Sequence, residues 1–404
     1  MENPFEFGRE LGADELVDRQ EEVAEVIRVI KGGGKLFVIG PRRYGKTSIL
    51  KAADDRAARE GAVVLRYNAE SYPTLDQLVA VLVADAARAM RGGVERAGEQ
   101  IRKFFSKMRP ELNFNVSESS WTATLGVAGD AAQSDGTGVG LLVDALDGLE
   151  KLAAAQPAGQ PVGLVIDEFQ RIIEVGGKDA ERQIRSAIQR HKRTGYVFAG
   201  SKTRMLTDMT TDAARPFYRL GSLRFIGPVP REEFIQFLLD KFSSGGFKVE
   251  GATSKGTPGG AVAFILDLAE EVPYNVQLLA HTCWEQLSGV ARGGGGRVLT
   301  EQVVRASLER IARRYDPFYT QLWRGLTAVQ QQTLVVVIKE GGVQMLSANT
   351  TRAVGRGAST VAKSLSALVN REILREEERA GDIHYRFEDP FFAVWIEFLP
   401  RKFR

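Results

Sequence analysis

The residues with the most chemical content form one short string, Gly40-Pro41-Arg42-Arg43-Tyr44-Gly45-Lys46-Thr47, followed by Ser48. It matches the spacing G-x-x-x-x-G-K-[ST] in full. Glycines in such a string let backbone N–H groups curl around an anion without Cβ clashes. A helix opening at Lys46-Thr47 turns free N–H groups and its dipole toward that anion. A lysine here reaches the β- and γ-phosphates of a nucleotide, and a hydroxyl meets Mg²⁺; these are the parts assigned to Lys46 and Thr47.

A second candidate cluster is Leu164-Val165-Ile166-Asp167-Glu168, an apolar run ending in two carboxylates. A nucleotide site needs one acid to hold the metal and another to orient the attacking water, and strand ends at one sheet edge deliver both. Asp167 is assigned to Mg²⁺ and Glu168 to the water. Ala199-Gly200-Ser201-Lys202 ends another apolar run. Ser201 is placed to sense a γ-phosphate there, with an ordinary turn as the alternative. Arg219, in Arg215-Pro216-Phe217-Tyr218-Arg219, is either an arginine finger supplied across a subunit interface or a surface ion pair. No [NT]-K-x-D signature follows the acidic run, which favours ATP over GTP.

These residues need a frame. The first half alternates apolar strands with amphipathic helices, the pattern of an α/β fold whose parallel sheet is covered on both faces. Strands are expected at Lys35–Ile39, Val63–Tyr67, Val162–Ile166, Gly195–Ala199 and Leu223–Ile226. Helices are expected at Asp18–Lys31, Thr47–Glu60, Leu75–Met90 and Leu141–Ala155. The stretch Val94–Arg109 reads as a helix with a basic face, and alternation over about 110–130 reads as an inserted β-hairpin. After Pro228-Val229-Pro230 helices dominate, at Arg231–Phe242, Gly260–Glu271 and Tyr274–Leu287.

Composition narrows the alternatives. The chain has 404 residues, a formal net charge of +3, one cysteine and three histidines. An internal disulfide is excluded, cysteine-rich zinc sites are excluded, and bulk charge does not call for nucleic acid. The opening Met1–Gly12 has no basic or apolar leader region, and no apolar run approaches a membrane span, so a cytoplasmic protein is expected.

Together, Gly40–Thr47, Ile166-Asp167-Glu168, Gly200-Ser201 and Pro216-Phe217-Tyr218-Arg219 resemble the archaeal-type ATPases of the AAA+/STAND group. Asn3-Pro4-Phe5 and Leu16-Val17-Asp18-Arg19-Gln20-Glu21 resemble that family's box before the phosphate loop. The resemblance implies a P-loop NTPase of AAA+/ASCE type, with sheet order 5-1-4-3-2 and a helical lid. It also implies adenine-side contacts by Val17 to Arg19 and a lid contact by Pro273. Relatives often carry glycines before that proline, whereas Glu270-Glu271-Val272 stand here.

The C-terminal region reads as helices followed by two short strands around Arg379-Ala380-Gly381-Asp382, the order of a winged helix. Its tail, Tyr385-Arg386-Phe387-Glu388-Asp389-Pro390 with Trp395, resembles a motif of the same family. Domains are expected at 1–230 (ATPase), 231–312 (lid) and 313–404 (winged helix). Lys363, Arg371 and Arg379 are candidate contacts for double-stranded DNA, opposed by Glu376-Glu377-Glu378 on the wing. The expected activity is Mg²⁺-dependent ATP hydrolysis driving a molecular switch. The alternatives are a replication-initiator-like DNA-binding ATPase and a scaffold that self-associates on ATP.

Overall fold

The computed structural model describes residues 2–90, 108–115, 120–127, 138–157, 160–177, 179–251, 260–292, 297–379 and 381–398. The basic-faced helix expected at Val94–Arg109 lies outside these residues up to 107, and its last two residues, Met108 and Arg109, belong to a strand. The chain divides into two compact units, residues 10–227 and residues 1–9 with 228–404.

In the first unit the helices are α1 (Gln20–Gly32), α2 (Lys46–Arg59), α3 (Leu75–Ala89), α4 (Gly138–Ala155), α5 (Gln170–Gly176), α6 (Ala180–Ile188) and α7 (Thr203–Thr211). The strands are β1 (Lys35–Ile39), β2 (Val63–Asn68), β3 (Met108–Asn115), β4 (Ser120–Val127), β5 (Val162–Asp167), β6 (Thr194–Gly200) and β7 (Ser222–Phe225). Strands β3 and β4 pair antiparallel as the expected hairpin. The others form one parallel sheet in the order β2-β5-β6-β1-β7. Counted without the hairpin and read from the far edge, this is 5-1-4-3-2, as the family resemblance implies.

The sequence accounts for this arrangement. Every residue of β5 and β6 is buried, as continuous apolar runs in the middle of a two-sided sheet must be. On one face α1 lies directly on the sheet, with Val23, Val26, Ile27 and Ile30 inward. Two glycines permit that approach. A Cβ on Gly163 would stand 2.8 Å from Ile30, and one on Gly195 would stand 2.4 Å from the Val29 carbonyl oxygen. On the opposite face Phe37, Phe169, Phe198 and Phe217 cluster, with Phe169 and Phe198 centroids 4.4 Å apart.

Register then aligns the strand ends. Ile39 stands opposite Gly200, and Asn68 opposite Asp167. Gly40, Asp167, Glu168 and Ser201 therefore leave the sheet along one carboxyl edge.

The second unit contains α8 (Arg231–Ser244), α9 (Ala261–Leu268), α10 (Pro273–Arg292), α11 (Glu301–Arg314), α12 (Asp316–Arg324), α13 (Ala328–Glu340), α14 (Ala348–Val354), α15 (Ala358–Asn370) and α16 (Pro390–Phe398). Short strands β8 (Lys248–Val249) and β9 (Val298–Leu299) pair parallel, and β10 (Leu374–Arg379) and β11 (Asp382–Phe387) form an antiparallel wing. The first nine residues pack here, Phe5 lying 4.8 Å from Phe242 between ring centroids. Thr327 and Gln330 form a capping box that starts α13.

The tail motif has structural work in this unit. Asp389 accepts from the Tyr319 hydroxyl at 3.0 Å and from the Phe391 N–H, and the Trp395 indole donates to Asp316 at 2.8 Å. Among the described residues no helix is long and apolar enough to cross a membrane.

Candidate functional site: a phosphate-loop edge

The loop after β1 requires glycine at both of its glycine positions. A Cβ on Gly40 would meet the Ile226 carbonyl oxygen at 2.6 Å, because β7 leaves the sheet beside it. Gly45 has φ of 86° and precedes the first turn of α2, a conformation that L side chains rarely adopt. Arg43 also lies in the left-handed region, at φ 69°.

Lys46 is buried, and its Nζ donates to the Pro41 carbonyl at 2.8 Å, so the ammonium is folded over its own loop. Thr47 Oγ1 donates to Asp167 Oδ2 at 2.7 Å. This contact joins the two residues assigned to Mg²⁺, 120 positions apart in sequence. Asp167 also accepts from the Glu168 N–H at 2.9 Å. Burial pushes the Asp167 carboxyl above the usual carboxylate range, and the Thr47 hydroxyl opposes the shift in part.

Glu168 has φ of 51°, the turn by which the chain leaves β5 for α5. The Phe169 N–H returns to the Ala199 carbonyl at 2.8 Å and pins this turn to the end of β6. Glu168 Oε2 accepts from Ser201 Oγ at 2.8 Å, from the Ser201 N–H at 3.1 Å and from Gln170 Nε2 at 2.5 Å. Arg42 reaches across from the loop, donating to Glu70 at 3.2 Å and to Ser201 Oγ at 3.4 Å. Tyr44 is buried in the loop, and Ser48 accepts from the Leu11 N–H at 3.0 Å.

The structure thus brings together Gly40 to Ser48, Asp167, Glu168 and Ser201. The contacts of the remaining candidates are different ones. Arg219 is exposed at φ 52°, its guanidinium 5.1 Å from the Tyr218 ring centroid. Among the described residues no hydrogen bond or ion pair links Arg219 to Lys46, Thr47, Asp167 or Glu168. Arg19 is buried, and its guanidinium is taken by Glu22 at 3.0 Å and the Gly227 carbonyl at 2.6 Å, so it braces α1 against the chain leaving β7. Val17 is half-buried just before α1. Pro273 opens α10 in the second unit, preceded by Glu270 and Glu271 at φ 50° and 57°.

Sequence reasoning passed over Gln170 and Glu70. Gln170 had a signal: it is a polar residue opening the short α5, whose next inward positions are Ile172 and Ile173.

In the winged region, Lys363 is exposed on α15. Arg371 donates to the Gly325 carbonyl at 2.9 Å, which ties the end of α15 to the end of α12. Arg379 ends β10 opposite Asp382.

The residues fit Mg²⁺ with a nucleotide. A hydroxyl and a carboxylate, both hard oxygen donors, meet at the head of a helix beside a buried lysine. Among the described residues there is no cluster of three or more His, Cys, Asp or Glu fit for a metal.

The sheet order and the loop at its edge are those of the P-loop fold of AAA+/ASCE type, followed here by a helical region and a C-terminal winged helix. Residues 317–398 match the family model described as "Probable winged helix domain". Among solved structures the chain is similar to a Walker-type ATPase of Pyrococcus abyssi at 16% identity and TM-score 0.59, covering 98% of this chain and 100% of that one. It is also similar to the ORC2 protein of Aeropyrum pernix, solved in ADPNP–ADP complexes, at 14% identity and TM-score 0.54, covering 97% and 96%. Comparison with curated proteins found no match. At these identities the likeness is one of fold.

Proposed function

We propose that this protein binds ATP with Mg²⁺ and hydrolyses it, acting as a nucleotide-controlled switch. The observation that carries this is the 2.7 Å contact between Thr47 and Asp167 beside the buried Lys46. Two distant stretches of sequence converge there on the groups that a metal–triphosphate needs.

Each residue has a part. Backbone N–H groups of residues 42–48 cradle the phosphates. Lys46 exchanges its Pro41 carbonyl for phosphate oxygens. Thr47 and Asp167 hold Mg²⁺, which supplies neutralising charge to the phosphates when bound. Glu168 accepts a hydrogen bond from the attacking water and takes its proton. Ser201 holds Glu168 and faces the same edge, which supports a role in reading the γ-phosphate. Arg219, exposed and unconnected to these groups, is suited to act on the site of a second copy. Val17 is proposed to lie on the base side, and Arg19 to support that side by bracing α1.

Calorimetry and phosphate release test the core of this proposal. Lys46→Ala should weaken Mg·ATP binding by about 10-fold or more and abolish turnover, since the lysine is a charged partner of the phosphates. Parent-like binding and turnover in that variant would remove Lys46 from the site.

The exposed Ser359, Thr360 and Lys363 on α15 favour a second role, contact of the winged helix with duplex DNA. Arg371 supports it least, because its guanidinium is spent on Gly325.

A further inference from the structure

The most constrained polar group near the site is one that the assignment above leaves without a role. Gln170 is 1% exposed. Its Nε2 donates to Glu168 Oε2, the oxygen that Ser201 also engages. Its Oε1 has no hydrogen-bond partner among the described residues. The amide cannot turn over to repair this, because the reversed orientation would set an oxygen against the carboxylate.

A half-satisfied buried amide is costly relative to an apolar side chain of the same shape. Stability alone therefore does not explain a glutamine at this position.

The neighbouring strand makes room for it. A Cβ on Gly200 would stand 2.1 Å from Gln170 Oε1 and 2.5 Å from Leu206 Cδ1. Gly200 has an ordinary strand position at the end of β6, so its missing side chain serves close approach and not a special backbone angle. The two sites form one device. The bare end of β6 admits the amide, and the amide together with Ser201 fixes one oxygen of Glu168. The other oxygen, Oε1, is left to meet water.

We infer that Gln170 is a positioning residue for the hydrolytic step, holding the Glu168 carboxylate in a cradle that Gly200 keeps open. The inference rests on the ATPase reading above and deepens it.

The test separates the two. In the full-length protein, Gln170→Met keeps side-chain length and removes the donor. Its kcat should fall about 10- to 100-fold, the scale of losing alignment at a reacting group. Its Kd for Mg·ATP by calorimetry should stay within about twofold, and its Tm should hold or rise, because the orphaned amide oxygen is gone. Gly200→Ala should lower kcat in the same way by displacing the amide. The double variant Gly200→Ala/Gln170→Ala should be no slower than Gln170→Ala alone, since the new methyl then meets only the flexible end of Leu206.

A parent protein that shows no heat with Mg·ATP and no turnover would sink the ATPase reading and this inference together. Normal parent turnover with Gln170→Met at parent kcat would sink the inference alone. So would a Gln170→Met that loses binding, or Tm, in proportion to its loss of turnover, because that is the signature of a merely structural group.

Discussion

Asp54 shows how one side chain contributes to the pH response of the fold. It sits buried on α2 with Arg66 Nε 3.1 Å from its carboxylate, and Arg66 also forks onto Glu10. Burial outweighs the arginine and lifts the carboxyl to about 7. The folded-state value lies above that of the unfolded chain. Between about pH 4 and about pH 7 the folded protein therefore keeps a proton that the unfolded chain has lost, and stability falls as pH rises through that window. Thermal melts should show Asp54→Asn raising Tm at pH 8, by the equivalent of about 1–3 kcal/mol, and leaving it nearly unchanged at pH 5. Equal effects at both values would remove Asp54 as the cause. At this scale the sequence was most informative where a motif fixes residue types. Gly40 to Thr47, Asp167 and Glu168 are legible from spacing, and they meet as expected. Arg19 and Arg371 show the limit: an arginine's partner is decided by which carbonyl the fold brings near, here Gly227 and Gly325. No local pattern contains that information.

The elements themselves were legible where they are long and strongly periodic. The strands of the sheet and helices α1 to α4 were all expected, with ends shifted by a few residues at most. Helices α5, α6, α7, α12 and α14 were not expected; they have seven or nine residues each, so each offers only a short window in which helical spacing can show. Helix α11 was passed over despite its 14 residues. In α6 the inward positions Ala180, Ile184, Ala187 and Ile188 do recur at helical spacing, but alanines among charged neighbours make a faint stripe. What seats the elements against each other was hidden in glycines that read as neutral. Gly195 is the sharpest case, with the α1 backbone pressed against it. Gly195→Ala should cost about 1–3 kcal/mol through overpacking, visible as a lower Tm, while nucleotide affinity of the folded fraction is retained. An unchanged Tm would show that α1 can lift from the sheet without penalty.

For the whole molecule, the division into two units follows from where the long-range contacts lie, and it gives the first nine residues to the second unit. Sequence reading placed them with the first, because chain order is the only guide before Phe5 is seen against Phe242 and Trp284. A DNA role would also be a property of the whole surface. Residues 317–404 carry a net charge of only +3, so any affinity should be modest and strongly salt-dependent. If α15 reads duplex DNA, Lys363→Ala should weaken binding and flatten the dependence of log affinity on log salt by about one. A parent protein with no duplex affinity at low salt would end that reading. One bond in the second unit bears on how far the winged helix is autonomous. Arg375 of β10 is buried and shared among Glu377 at 2.8 Å, the Phe387 carbonyl and Glu270 at 2.9 Å, the last lying 105 positions earlier in the helical region. A polypeptide severed before Asp316 would leave that guanidinium one acid short in a place water barely reaches, a loss on the order of 1–3 kcal/mol. The family boundary at residue 317 would then mark a unit of descent more than a unit of folding, and the excised piece should melt below its counterpart in the intact chain.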